Sequence, residues 1–145
     1  MSVTSDFITP DDERQIVEAI AAAEKNTSGE IRVHIENHTE KPPLERAQEV
    51  FFQLGMDKTA ARNGVLFYIG VSDHTFAIIG DEGIDKAVED DFWDCTKDAV
   101  IAHFKGGRVK DGLVEGILKA GERLKTYFPY AADDTNELPN DISRN

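Results

Sequence analysis

The apolar stretch GVLFYIGV, residues 64–71, constrains the fold more than any other segment, because it is apolar on both faces that a strand would present. Such a strand is typical of the centre of a sheet that is covered on both sides. In EIRVHIE, residues 30–36, apolar and polar residues alternate. This pattern predicts a half-buried strand with its charged residues and histidine on the polar face. PLERAQEVFFQLG, residues 43–55, has a helical pattern between these strands, which predicts a parallel, right-handed crossover.

The remaining patterns add a third strand and further helices. TFAIIG, residues 75–80, follows the central strand after the turn SDHT and predicts an antiparallel partner. Three more segments show helical spacing of apolar residues: one that begins at Pro10, one at 84–104 that breaks near Asp90, and one at 109–128. Together they predict an α/β fold in which about four helices flank a small mixed sheet, made of a βαβ crossover and an antiparallel hairpin.

The chain has 145 residues, of which 40% are apolar, and this is enough for one domain with its own core. We predict a single domain over residues 1–130. After Pro129 the sequence is acidic, polar and without hydrophobic periodicity. Residues 131–145 are therefore predicted to form a disordered C-terminal tail.

The net charge is −12, with 28 acidic residues against 16 lysines and arginines. Nucleic acids and anionic lipids are bound mainly through lysine and arginine, so we expect neither nucleic acid nor membrane as a partner. The first residues lack the basic start and apolar stretch of a secretory signal, and no apolar run is long enough to cross a bilayer. The single cysteine, Cys95, fits a reducing compartment, and we expect a cytoplasmic protein.

The predicted topology brings three loops to one end of the sheet: those before the first and second strands, and the one after the third. The second helix ends there too. These segments carry the oxygen donors that a hard cation prefers, and we predict a metal site of Asp81, Glu82, Asp57 and Asn63. Alternatively, Asp81 and Glu82 only cap the third helix and stay solvated, and the sequence leaves both possibilities open. The acidic residues of 85–94 are interpreted as a solvated helix face.

Four motifs, TSGEIRVHIE, ARNGVLFYIG, FAIIGDEGI and FKGGRVKDGLVEGI, resemble the TPM domain in their order and spacing. This family is named after thylakoid-lumen, photosystem-repair and receptor-modulator proteins, and the resemblance covers residues 11–129. It implies a three-layer α/β/α sandwich around a small mixed sheet. It also implies binding of a divalent cation, usually calcium with magnesium as an alternative, and an acid phosphatase activity.

Within that resemblance, Asn63 and Gly64 correspond to the family's Asn-Gly before the central strand, and Gly80 to the glycine that ends the hairpin. Two features differ from the exported members of the family. Those members carry a signal peptide, and they usually have a second glycine two residues after the first, where this chain reads GDEG. The chain is therefore most similar to the shorter, cytoplasmic-type branch.

Several phosphatase and metal motifs are excluded by the residues themselves. Cys95 lacks the arginine about six residues later that a cysteine phosphatase needs, since Ile101 stands there. The chain also lacks the Asp-x-Asp of an aspartyl-phosphate enzyme after its first strand, the Gly-Lys-Ser/Thr of a P-loop and the glycine spacing of an EF-hand. One cysteine and scattered histidines do not make a zinc site.

These observations lead to two hypotheses. The first is a divalent-cation-binding domain, with calcium as the favoured ion, that acts as an interaction or regulatory module. The alternative is a weak metal-dependent acid phosphatase, in which a bound cation polarises a phosphate for attack by water. A face around Phe92 and Trp93 is a further candidate for binding a protein partner.

Overall fold

The computed structural model describes residues 9–59, 62–71, 75–89, 91–129 and 142–144. Their α-helices are α1 (Pro10–Glu24), α2 (Pro43–Gln53), α3 (Glu82–Ala87), α4 (Asp94–Lys105) and α5 (Val109–Leu124). Their strands are β1 (Glu30–Glu36), β2 (Gly64–Gly70), β3 (Thr75–Gly80) and β4 (Ser143–Arg144). A short 3₁₀ helix, Met56–Lys58, lies between α2 and β2. No helix among the described residues has the length and apolar character needed to cross a bilayer.

The four strands form one mixed sheet in the order β3-β2-β1-β4. β1 and β2 are parallel, in a register that pairs Glu30 with Gly64 and Glu36 with Gly70. β2 and β3 are antiparallel, from Val65 opposite Gly80 to Gly70 opposite Thr75. The predicted crossover and hairpin are therefore both present, while the predicted turn at 72–74 lies outside the described residues.

Helices cover both faces of β2, as its two-sided apolar pattern predicts. On one face, Val65 and Phe67 are fully buried in a core shared with α1 and α5. On the other face, Leu66 and Tyr68 are fully buried against α2. Full burial of a large apolar side chain contributes about 1.5–3 kcal/mol, so both layers help to hold this strand in the centre. The fold is the three-layer α/β/α sandwich that the resemblance implied.

One prediction about the strands needs correction. β1 is not half-buried, because its polar face is covered as well: Glu30, His34 and Glu36 are each less than 5% exposed. The helical segment predicted over 84–104, with a break near Asp90, is divided into α3 and α4, which end at Ala87 and begin at Asp94, respectively. Val88 has an extended backbone (φ −117°, ψ 162°) that ends α3, and Asp90 itself lies outside the described residues.

The last described residues add an element that the sequence pattern does not reveal. Ser143 and Arg144 pair in parallel with His34 and Ile35 at the edge of the sheet, and Ile142 is buried in the larger core. Two residues are too few to show any periodicity, so only the pairing with β1 identifies this strand. Most of the predicted tail, 131–145, lies outside the described residues, and the domain boundary at 130 stays a prediction.

Candidate functional site

The loops that precede β1 and β2 lie against each other at one end of the sheet. The side-chain amide of Asn63, which is only 3% exposed, donates to the backbone carbonyl of Ser28 at 3.2 Å. The backbone N–H of Glu30 donates in return to the carbonyl of Asn63 at 3.2 Å. Asn63 therefore ties the two loops together, and its amide nitrogen is committed to that contact.

The third loop, at the end of β3, joins them through Asp81. Its backbone N–H donates to the carbonyl of Gly64 at 2.9 Å, while the N–H of Gly83 donates to the carbonyl of Arg62 at 2.8 Å. The Asp81 carboxylate accepts the N–H of Glu82 at 2.7 Å and is the N-cap of α3. We call this group of contacts the loop end of the sheet.

Arg62 and Asp81 form a bidentate ion pair at the loop end. Arg62 Nε donates to Asp81 Oδ2 at 2.8 Å, and Arg62 Nη2 donates to Oδ1 at 2.9 Å. A second carboxylate, that of Glu82, lies 3.4 Å from Nη1. The Asp81 side chain is 5% exposed and that of Arg62 40% exposed, so a nearly buried carboxylate meets a cation that still reaches water.

The backbone of Arg62 has φ +51°, in the left-handed region that side chains other than glycine rarely adopt. This conformation costs an L-residue about 1–2 kcal/mol and persists only where the surroundings hold it in place. Here the guanidinium contact with Asp81 and the carbonyl contact with Gly83 hold it. The loop end therefore stores backbone strain next to its ion pair.

The electrostatics of the loop end are organised around the Arg62 guanidinium. The hydrogen bonds that Arg62 donates to Asp81 are the main cause that raises the pKa of Arg62, and the charges of Asp81, Glu82 and Asp57 raise it further. The hydrogen bond from Lys86 lowers the pKa of Glu82 most, and the Arg62 charge lowers it too. Burial raises the pKa of Asp85, and the nearby Asp81 charge adds to this.

The four predicted ligands are thus arranged in different ways. Asp81 and Glu82 contact Arg62, Asp57 acts on it through its charge, and Asn63 donates to Ser28. Asp81 does cap α3, which the alternative interpretation anticipated, but Glu82 also reaches Arg62. Among the residues that the structure describes, no three His, Cys, Asp or Glu side chains are placed to hold one metal ion.

Arg62 itself was not among the predicted site residues. The signal that could have found it is a lone arginine directly before Asn63 and Gly64, in a loop already predicted to meet several acids.

A cavity of about 600 Å³ lies beside Arg62, and Asp81, Glu82 and Asp85 line its polar side. Its apolar side comes from α2, the end of β3 and Trp93, and Phe52 on α2 is 61% exposed.

The opposite end of the sheet holds a second charged group, which we call the buried network. Arg46 Nε and Nη2 donate to the two oxygens of Glu36, each at 2.9 Å. The Tyr68 hydroxyl also donates to Glu36, and His34 Nε2 lies 3.0 Å from it. On its other side, His34 Nδ1 lies 2.9 Å from Ser143 Oγ of β4. Burial lowers the pKa of His34, which favours the neutral ring.

A family model described as the TPM domain matches residues 1–123 of the chain. No curated protein matches the chain. Among solved structures, the chain is similar to the BA42 protein of the psychrophilic bacterium Bizionia argentinensis, with 53% identity, a TM-score of 0.93 and 100% of each chain covered.

Two more distant structures share the fold alone. One is the N-terminal domain of a P. gingivalis protein, with 18% identity and a TM-score of 0.69, covering 84% of this chain and 79% of that one. The other is the N-terminal domain of the cg2496 protein of Corynebacterium glutamicum, with 12% identity and a TM-score of 0.63, covering 93% of this chain and 79% of that one.

Proposed function

The chain belongs to the TPM domain family, and on that premise we propose that it is a divalent-cation-binding domain that acts as an interaction or regulatory module. The observation that carries the proposal is the gathering of Asp81, Glu82 and Asp57 around one positive charge, that of Arg62. Carboxylates that lie close together repel one another, so a site of this kind is stabilised by a cation. Arg62 supplies that cation in the absence of a metal.

The donor chemistry fits a hard cation. Calcium takes carboxylate, amide and backbone carbonyl oxygens in a flexible arrangement, and the loop end offers these from three loops. Because both oxygens of Asp81 are held by Arg62, however, the ion could bind only if the guanidinium moved away. The strained backbone and the partly exposed side chain of Arg62 favour such a movement. Magnesium, which demands a more regular set of ligands, is the weaker candidate.

The proposal is tested by titrating calcium into isotopically labelled, metal-stripped protein and following the backbone amides by NMR. Saturable shifts are expected at Asn63, Gly64, Gly80 and Gly83, together with a change at the Arg62 Nε resonance. Asp81→Asn keeps a capping oxygen on α3 but removes the charge, and it should abolish the saturable shifts.

The matched control is Asp98→Asn, which removes an exposed carboxylate from α4 that is not among the described residues lining the cavity beside Arg62. Calcium affinity should be unchanged in this variant. Diffuse, non-saturating shifts along residues 85–94 would instead mean that the acids form a solvated surface, and the cation proposal would then be abandoned.

The rival function is a weak metal-dependent acid phosphatase at the same place. One observation favours it: Arg62 and Lys86 both line the 600 Å³ cavity, and arginine forms two-pronged contacts with phosphate as readily as with carboxylate. Activity of the purified protein on a phosphate monoester should then be lost in Asp81→Ala. Activity that survives this change would point to a contaminating enzyme.

A further inference from the structure

A separate cavity of about 490 Å³, which we call the hairpin-end cavity, opens where the β2–β3 hairpin meets α4 and α5. It is lined by the end of β2, the start of β3, the last turns of α4 and the first residue of α5, and the lining side chains include Ile69, Thr75, Phe76, Ile101, Phe104, Lys105 and Val109. It lies at the end of the sheet away from Arg62, and its volume is in the range of small-molecule sites.

The walls of the hairpin-end cavity are apolar and incompletely covered. The Phe76 ring meets that of Phe104 edge to face, with 5.6 Å between ring centroids, and meets Phe67 in the same way at 6.0 Å. Phe76, Phe104, Ile101 and Val109 all remain partly exposed. A concave apolar surface of this kind would be stabilised by a ligand that covers it.

Two polar groups in the lining can donate a hydrogen bond to a ligand. The hydroxyl oxygen of Thr75 is buried and has no hydrogen-bond partner among the described residues, which is unfavourable in a folded protein. Among the described lining residues, Lys105 is the one that carries a charge, and its side chain is exposed to solvent. Both groups can donate to an anion, and in a chain of net charge −12 a local cation is needed to attract one.

We propose that the hairpin-end cavity binds a small amphipathic carboxylate, with an apolar body the size of a medium-chain fatty acid. The body packs against Phe76, Phe104 and Ile101. The carboxylate accepts hydrogen bonds from the Lys105 ammonium and the Thr75 hydroxyl. This site is independent of the proposed cation site, because the two share no residue.

The test uses octanoate as the probe and the full-length chain with labelled methyl groups. Titration should give saturable NMR shifts at Ile69, Ile101 and Val109. Octanol, which has a similar body and no charge, should bind about tenfold more weakly, because a hydrogen bond to a charged group is stronger than one to a neutral group.

Three variants test the polar contacts. Lys105→Gln should weaken octanoate binding about tenfold, whereas Lys97→Gln on the same helix, outside the cavity, should leave it unchanged. Thr75→Val should weaken octanoate binding several-fold and yet leave the thermal midpoint of the ligand-free protein equal or higher, because a methyl group replaces an unpaired hydroxyl. If the role of Thr75 were purely structural, Thr75→Val would lower the octanoate affinity and the thermal midpoint together.

The proposal is overturned if octanoate gives no saturable shifts at the cavity, or if octanol binds as tightly as octanoate. It is also overturned if Lys105→Gln and Lys97→Gln behave alike. Calcium titration of the same samples is a separate experiment, so failure at one site does not count against the other.

Discussion

Arg46–Glu36 and Arg62–Asp81 are two ion pairs with the same geometry at opposite ends of one sheet. In both, Nε and one terminal nitrogen of the guanidinium donate to the two carboxylate oxygens at 2.8–2.9 Å. Both carboxylates are almost fully buried. The arginines differ, since the side chain of Arg46 is 15% exposed and that of Arg62 40% exposed.

The surroundings of the two pairs differ even more. Glu36 is also bound by Tyr68 and His34, so several buried groups depend on it. Asp81 has a backbone N–H as its other partner, and its arginine stands on a strained backbone. Two ion pairs of the same geometry can therefore differ in what the protein loses when they open. The decisive quantity is how many buried groups lose a partner when the pair opens.

The largest effect is expected in the buried network. Glu36→Ala removes the buried acceptor of the half-buried Arg46 and of the buried Tyr68 hydroxyl, and it should lower the free energy of unfolding by about 3–5 kcal/mol in urea denaturation. Glu49→Ala removes the other carboxylate bound to Arg46, which is partly exposed, and should change little. Equal losses in the two variants would show that the buried carboxylate of Glu36 matters no more to stability than the partly exposed carboxylate of Glu49.

A smaller effect is expected at the loop end. Asp81→Ala removes both the N-cap of α3 and the partner of Arg62, and it should cost about 1–2 kcal/mol in the same assay. Asp81→Asn keeps a capping oxygen and should recover much of that loss. A cost for Asp81→Ala as large as that for Glu36→Ala would show that the loop end is as structural as the buried network.

The strain at Arg62 is tested by comparing two substitutions. Arg62→Gly and Arg62→Ala both remove the ion pair, but only glycine adopts a positive φ without strain. Glycine should therefore leave the protein about 1 kcal/mol more stable than alanine does. If Arg62 competes with the metal, both variants should bind calcium more tightly than the wild type, as measured by calorimetric titration.

The smallest effect concerns Glu24, a carboxylate near the loop end that accepts the N–H of Ile31 at 3.1 Å. Burial is the main cause that raises the pKa of Glu24 to about 7, and the Glu30 charge raises it as well. The folded state therefore binds this proton more tightly than the unfolded state. The resulting stability is complete below about pH 4.5 and is lost as pH rises through about 7.

Glu24→Gln removes that titration. Relative to wild type, the variant should gain on the order of 1 kcal/mol in unfolding free energy between pH 5 and pH 8. Glu18→Gln, at an exposed position on the same helix, is the matched control and should follow the wild-type pH profile. Parallel profiles for Glu24→Gln and wild type would rule out this source of pH dependence.

Much of the fold could be predicted because the information is local. The two-sided apolar pattern of 64–71 predicted the central strand and its cover on both sides, and the helical pattern of 43–55 predicted the parallel crossover. The burial of the polar face of β1 could not be predicted in this way. Its polar residues are covered because Arg46, Tyr68 and Ser143 meet them there, and alternation says nothing about such partners.

By itself, then, the sequence determined which segments become strands and helices, which strands are parallel, and that Asp57, Asn63, Asp81 and Glu82 lie toward one end of the sheet. Only the tertiary structure decided which cation each carboxylate meets. Arg62 and Asp81 are 19 residues apart, and Glu36 and Arg46 are 10 apart. Backbone patterns act over a few residues, whereas an ion pair requires a separation near 3 Å that only the packing of whole elements can set.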